Sequence, residues 1–279
     1  VSSPDPRPVP PRAGAGKGPR LREERRAGEG FPVLALRPWE EEFPGLAAGI
    51  TAAGRTADGE PADFGLTTAP SPWALFRRLD RLAGQLGFPA AAVGRQVHGD
   101  AVTCLAATPD PGLRVPGETD GLLTWSPGLL LTVTAADCVP VYLLDPESGG
   151  LGLLHAGWRG TAAGILESGV RAVEARFGAP PGRLRIHLGP AICGACYEVG
   201  PEVPRALGIA DGDAGGRCRV DLRGVLRRRA GELGVAEEAV TASTWCTFCD
   251  PDHFHSYRGS ADRAGRMAAY LGWRHRGGG

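Results

Sequence analysis

Cys138 and His155 are the two residues in this chain best placed to do chemistry. Cys138 lies between two apolar runs, Leu129 to Thr134 and Val139 to Leu144, and His155 lies at the end of a third, Leu151 to Leu154. Thiolate and imidazole are both soft enough to hold zinc or copper. The same two groups can also act as a nucleophile and its general base. His98, in Gln96-Val97-His98-Gly99-Asp100, stands beside another strand end in similarly small-residue surroundings. As a trio, His98, Cys138 and His155 offer three protein ligands and leave one tetrahedral position free. That is the arrangement of a catalytic zinc, which activates water at neutral pH, rather than a structural one. The three are far apart along the chain, so spacing alone does not choose between metal site and Cys–His pair. Asp137, next to the cysteine, is positioned to orient a ligand or to accept a proton.

Two further groups carry chemical potential. Cys193-Gly194-Ala195-Cys196 and Cys246-Thr247-Phe248-Cys249 are paired thiols that could close a structural zinc site. The gap between the pairs is much longer than in a compact zinc ribbon, so the reading preferred for them is half-buried thiols lining a pocket. Arg159, Tyr197 and Arg258 each sit in a Gly-rich or aromatic context beside a strand end. A guanidinium there suits a phosphate or a carboxylate, gripped by its two-pronged fork.

The elements that must position these groups follow from local pattern. Val1 to about Gly30 is Pro, Gly, Arg and Glu with almost nothing apolar, so residues 1–30 are expected to be a disordered tail. Phe31 to Arg37 reads as an edge strand. Ser71-Pro72 starts a helix that Gly87 ends, with Trp73, Phe76, Leu79, Leu82, Ala83 and Leu86 as its core face. Strands are expected over 91–97, 101–105, 122–125, 184–188 and 240–244, and extended chain over 254–258. Residues 109–117 and 211–216 read as loops. Helices are expected from Thr161, taken as an N-cap, to Phe177, over 201–207 and 221–233, and over 261–271 at the close. Several consecutive strands between helices favour a layered α+β domain over a simple βαβ repeat. The domain spans residues 31–273, and residues 274–279 are expected to fray.

Composition narrows the classes. Lys plus Arg and Asp plus Glu both number 31 in 279 residues, so there is no electrostatic case for nucleic acid or an anionic membrane. No apolar run is long enough to span a bilayer. No signal-peptide core is present, which makes the cytoplasm the expected location. Seven cysteines, an odd number, argue against a secreted disulfide framework. No feature points to a protein partner.

In order, Arg95-Gln96-Val97-His98-Gly99, Thr119-Asp120-Gly121, Thr134-Ala135-Ala136-Asp137-Cys138-Val139-Pro140 and His155-Ala156-Gly157-Trp158-Arg159-Gly160 resemble the motifs of the YfiH family. This is the laccase-domain or multicopper polyphenol oxidase family, which includes purine nucleoside phosphorylases. Leu188-Gly189-Pro190, Cys196-Tyr197-Glu198-Val199-Gly200, Ser256-Tyr257-Arg258 and Gly265-Arg266-Met267-Ala268 continue the match, which covers about Phe31 to Trp273. The resemblance implies a single-domain layered α/β/β/α fold, similar to the catalytic domain of cytotoxic necrotizing factor, a Cys-His deamidase. It implies metal on His98, Cys138 and His155, zinc or copper. It implies purine nucleosides and phosphate as substrates: phosphorolysis of adenosine, guanosine or methylthioadenosine to base and sugar 1-phosphate, and deamination of adenosine to inosine. Copper-dependent oxidation of phenols and editing of peptidoglycan precursors are also attached to the family. A Cys-His hydrolase with Cys138 as nucleophile stays open beside these.

Overall fold

A computed structural model describes residues 18–26, 28–66, 68, 71–105, 110–209, 216–260 and 264–275. Two seven-stranded sheets form its middle. The first runs, in spatial order, β1 (Arg20–Leu21), β15 (Val240–Ser243), β12 (Arg185–Leu188), β10 (Val139–Leu144), β11 (Leu151–Ala156), β8 (Gly121–Thr124) and β6 (Val102–Cys104). The second runs β2 (Glu24–Arg26), β3 (Val33–Ala35), β4 (Leu46–Thr51), β16 (Met267–Trp273), β9 (Leu129–Ala135), β5 (Ala90–Val93) and β7 (Gly112–Arg114). A small ribbon pairs β13 (Glu198–Val199) with β14 (Cys218–Arg219).

Side-chain alternation along the strands decides the layers. In β10, Tyr142 and Leu144 pack into the core between the sheets, with Leu151 and Leu153 of β11 and Leu131 and Val133 of β9. Val139, Val141 and Leu143 point the other way, onto the helices α4 (Ile165–Phe177) and α6 (Leu222–Glu232). On the far face of the second sheet, Leu130, Ala268 and Tyr270 meet Leu75, Leu79 and Leu82 of α2 (Pro72–Leu86). The result is the expected α/β/β/α layering.

Local signals work well where they are strongest. Ser71 caps α2 by accepting a hydrogen bond from the Ala74 amide, and Gly87 ends it at φ 83°. Trp73 is the exception on that helix: it is 71% exposed, its ring set edge to face against Phe76. The helix expected from Thr161 starts earlier and is broken. α3 (Trp158–Ala163) is capped by Gly157, and Gly164, at φ 96°, separates it from α4. Phe31 to Arg37 is not an edge strand: β3 pairs on both sides, and α1 (Arg37–Glu42) follows. A short strand, β7, interrupts the expected 109–117 loop, while residues 211–215 lie outside the described residues. α5 (Glu202–Leu207) stands where a helix is expected, but α7 (Tyr257–Ser260) replaces part of the expected extended piece.

The largest correction is at the close of the chain. Residues 261–263 of the expected helix over 261–271 lie outside the described residues, and from Met267 the chain is instead β16, hydrogen-bonded between β4 and β9. Met267, Ala269 and Leu271 face the inter-sheet core, and Ala268 and Tyr270 face α2. A strand buried on both faces shows no alternation, so periodicity does not separate it from a buried helix. Beyond it, Arg274 is anchored rather than frayed, its side chain donating to the carbonyls of Leu46 and Leu86. Residues 276–279 lie outside the described residues.

The disorder expected over residues 1–30 does not hold for residues 18–26 and 28–30. β1 and β2 lie there, one in each sheet, and Glu23 between them is 2% exposed. Its carboxylate meets His187 Nε2 at 2.8 Å and accepts a hydrogen bond from Ser243 Oγ at 2.6 Å, and its backbone carbonyl accepts one from Trp245 Nε1. A single buried acid therefore ties an otherwise polar segment down. Residues 1–17 lie outside the described residues. Glu23→Ala strands two buried polar groups, and urea denaturation is expected to show a loss on the order of 3 kcal/mol. A loss below about 0.5 kcal/mol, the usual range for a surface substitution, would mean the segment adds nothing to the fold.

Candidate active site

Asp120 is where the site begins. It stands just before β8, fully buried, and its carboxylate accepts hydrogen bonds from the amides of Val97 at 3.0 Å, His98 at 3.0 Å and Gly99 at 2.9 Å. The same carboxylate meets His155 Nδ1 at 2.8 Å. One acid thus holds one histidine by its backbone and the other by its ring. With Nδ1 committed to Asp120, Nε2 is the nitrogen His155 keeps for the pocket. Burial alone would raise the Asp120 pKa, but these donors outweigh it and hold the carboxyl below its usual range.

Cys138 comes from a different element. β9 belongs to one sheet and β10 to the other, and Ala136-Asp137-Cys138 is the link that crosses between them. The two imidazole rings lie edge to face, centroids 4.8 Å apart. Ligand atoms of His98, Cys138 and His155 all lie within 4.8 Å of one another. Gly157 makes this approach feasible: a Cβ there would stand 2.9 Å from Cys138 Sγ and 3.1 Å from His98 Cδ2. Burial by itself would raise the Cys138 thiol, but His155 and then His98 overcome it and bring the pKa down to about 6. Burial would likewise lower His155, but the Cys138 thiolate and Asp120 raise it to about 9. The donor set, its spacing and the Asp120 hydrogen bond behind one ligand all fit a bound zinc or copper ion.

A pocket of about 490 Å³ opens over this cradle. Its lining brings together His98, Asp137, Cys138, His155, Arg159, Tyr197 and Arg258, seven of the residues singled out from the sequence. The Arg159 guanidinium lies over the Trp158 ring at 4.4 Å, and that of Arg258 over the Tyr197 ring at 5.0 Å. Arg258 also donates to the Glu198 carbonyl. Asp137 behaves differently from the expected ligand-orienting acid. Its carboxylate accepts from Thr247 Oγ1 at 2.6 Å, Ser256 Oγ at 2.8 Å and the Arg258 amide at 2.7 Å, and it is Asp120 that meets the His155 ring. It positions the wall that carries Arg258, and Asp120 is the acid that orients His155.

Three further residues shape the site without a local pattern that marks them. Asp120 left one trace, a lone acid in Thr119-Asp120-Gly121 before an apolar strand. Gln96 clamps the end of β9 through the Thr134 amide and carbonyl, and Arg266 adds a further guanidinium to the lining. The cysteine pairs do not line this pocket as expected: Ile192 and Tyr197, which flank the first pair, do so instead.

Comparison with known proteins agrees with the motifs. The model of the family described as multi-copper polyphenol oxidoreductase laccase matches residues 56–274. A purine nucleoside phosphorylase of Deinococcus radiodurans is 38% identical over 257 residues, covering 87% of this chain and 93% of that protein. The purine nucleoside phosphorylase YlmD of Geobacillus stearothermophilus is 32% identical over 259 residues, 86% and 94% of the two chains. The crystal structure of YlmD from the same organism superposes with a TM-score of 0.78 at 28% identity, covering 91% of this chain and 100% of that one. The Bacillus licheniformis hypothetical protein YfiH superposes with a TM-score of 0.76 at 26% identity, covering 90% and 99%. The YfiH resemblance and the layered fold are thereby borne out.

Two outcomes are expected of this geometry. Asp120→Asn weakens metal retention about 10- to 100-fold, measured by competition with a chelator, because the ligand's partner is lost. In metal-free protein, alkylation of Cys138 rises through about pH 6, where the thiolate forms, rather than near the usual thiol value. Mass spectrometry of the labelled peptide against pH checks it.

Proposed function

Because the chain belongs to the multi-copper polyphenol oxidoreductase laccase family, and relatives similar to it carry the name purine nucleoside phosphorylase, we propose that it is a zinc-dependent purine nucleoside phosphorylase. Its substrates are adenosine, guanosine or methylthioadenosine, and hydrolytic deamination of adenosine to inosine is a second activity of the same pocket. The observation that carries this reading is the meeting of His98, Cys138 and His155 at a pocket whose lining also holds Arg159 and Arg258. A volume of about 490 Å³ lies within the range of small-molecule sites. Zinc is preferred to copper because a multicopper oxidase centre draws on further histidines. Among the described residues the other histidines join no second metal-ligating group.

Zinc bound by the trio supplies Lewis acidity at one end of the pocket. In phosphorolysis a phosphate oxygen bonds to ribose C1′ as the C1′–N9 bond breaks. The purine leaves with that electron pair and takes up a proton. Arg159 and Arg258 hold the phosphate through paired N–H···O bonds. Burial pushes the Tyr197 phenol up to about 12, so its Oη stays a proton donor at neutral pH. In deamination, water adds at the amino-bearing carbon of adenine and ammonia departs.

One observation favours a second reading. Cys138, His155 and Asp120 form a thiol, imidazole and carboxylate in sequence, with the thiol pKa brought down to about 6. That is the order of a nucleophile, its base and the group that orients the base, as in a Cys-His hydrolase.

The deciding experiment is an adenosine assay with and without phosphate, on metal-free and zinc-loaded protein. Adenine forming only with phosphate, or inosine without it, is expected of the zinc-loaded enzyme alone. If neither product appears, the nucleoside reading fails. Zinc that protects Cys138 from alkylation supports the metal site, and failure to protect supports the hydrolase. Arg159→Ala and Arg258→Ala are each expected to raise the KM for phosphate by about 10- to 100-fold, from loss of a charge-assisted hydrogen bond, with a much smaller change in the KM for nucleoside.

A further inference from the structure

β12 and β15 are parallel neighbours, with Ile186 opposite Val240, His187 opposite Thr241 and Leu188 opposite Ala242. A further parallel bridge joins Ala191 to Cys246. Both strands therefore run out at the same edge of the first sheet, and each runs into a Cys-x-x-Cys turn. In the first turn the amides of Cys196 and Tyr197 both donate to the Cys193 carbonyl. In the second, the Asp250 amide donates to the Cys246 carbonyl at 3.0 Å. The offset of 53 between Cys196 and Cys249 arises from the crossover between adjacent parallel strands, so the long gap says nothing against a shared site.

The sulfurs of Cys193, Cys196, Cys246 and Cys249 all lie within 4.8 Å of one another. All four are free thiols. Cys196 Sγ and Cys249 Sγ stand 3.3 Å apart, well beyond the ~2.05 Å of a disulfide. Sulfurs around a tetrahedral zinc, each at about 2.3 Å, are separated by about 3.8 Å, and the observed cluster needs only small adjustments to reach that. The Cys193 amide already points at Cys246 Sγ, 3.3 Å away, as a donor that favours thiolate. Within the cluster the thiols differ: the hydrogen bond with Cys246 holds Cys193 below its usual value, while burial, then the hydrogen bond with Cys249, pushes Cys196 up to about 12. Four thiols this close need a cation before they ionise together.

We propose that Cys193, Cys196, Cys246 and Cys249 hold a second, structural zinc ion, separate from the pocket. Its four protein ligands leave no position free for substrate, so its work is mechanical. Zinc binding at each thiol releases one proton and forms one Zn–S bond, with no change of oxidation state. The ion staples the ends of β12 and β15 and so fixes two neighbours of the pocket. Tyr197, directly after Cys196, lines it, and Thr247, directly after Cys246, donates to Asp137 at 2.6 Å.

The test uses the full chain carrying Cys138→Ala, which disables the pocket site, purified with zinc in the medium. Elemental analysis is expected to find one zinc per chain, and X-ray absorption four sulfur neighbours at about 2.3 Å. Adding Cys196→Ser and Cys249→Ser is expected to remove that zinc and lower the melting temperature. If the added substitutions prevent folding, the absorption spectrum of the Cys138→Ala protein still decides. Nitrogen among the ligands, iron in place of zinc, a disulfide in the intact mass, or a zinc-free protein with four titratable thiols would each overturn the proposal.

Discussion

A single buried carboxylate sets the geometry on which this protein's chemistry rests. Burying the charge of Asp120 is costly unless every lone pair is used. Three consecutive amides, from Val97 to Gly99, and one imidazole use them. Because the donors are backbone groups, the loop has no freedom to place His98 elsewhere. The price is visible in the backbone: His98 sits at φ 60°, in a region non-glycine residues avoid. The same carboxylate selects which nitrogen of His155 is left for the pocket. Two histidines from distant parts of the chain are thus fixed by one side chain.

A second carboxylate does the corresponding work on the other side of Cys138. Asp137, at φ 84°, gathers Thr247, Ser256 and the Arg258 amide, so the strained turn before the cysteine is held by contacts from the far end of the chain. Cys138 is therefore flanked by two rigid acid-centred knots, on the link that passes from one sheet to the other. This is preorganisation of the kind a metal cradle or a nucleophile requires, in which side chains arrive in place before any ligand binds.

The layered core explains why such a link is available. Side chains between the sheets are apolar along most of β10, β11 and β9. Only at the strand ends do His155 and Asp120 occupy inward-facing positions in the alternation. The pocket forms where the two sheets part, and its guanidinium groups come from later segments that pack over this opening. The paired cysteine turns leave the same sheet at the ends of its parallel strands, beside the pocket wall rather than in it.

The residue types at the site, and the element that follows each, were legible from local sequence. Apolar runs marked β9, β10 and β11, and Ser71, Pro72 and Gly87 marked the ends of α2, because capping and burial act over a few residues. The ordered motifs carried the family and its layered fold. Local pattern failed where the decisive contact is remote. β16 looked helical because both its faces are buried, Glu23 looked disordered because its partners lie in β12, in β15 and just past it, and Asp120 looked like a lone acid before a strand. The same limit made the cysteine pairs seem too far apart to meet. Sequence determined which groups can ligate, donate or pair. Tertiary structure decided which of them converge, since convergence depends on strand neighbours and buried charges whose partners are dozens to hundreds of residues away.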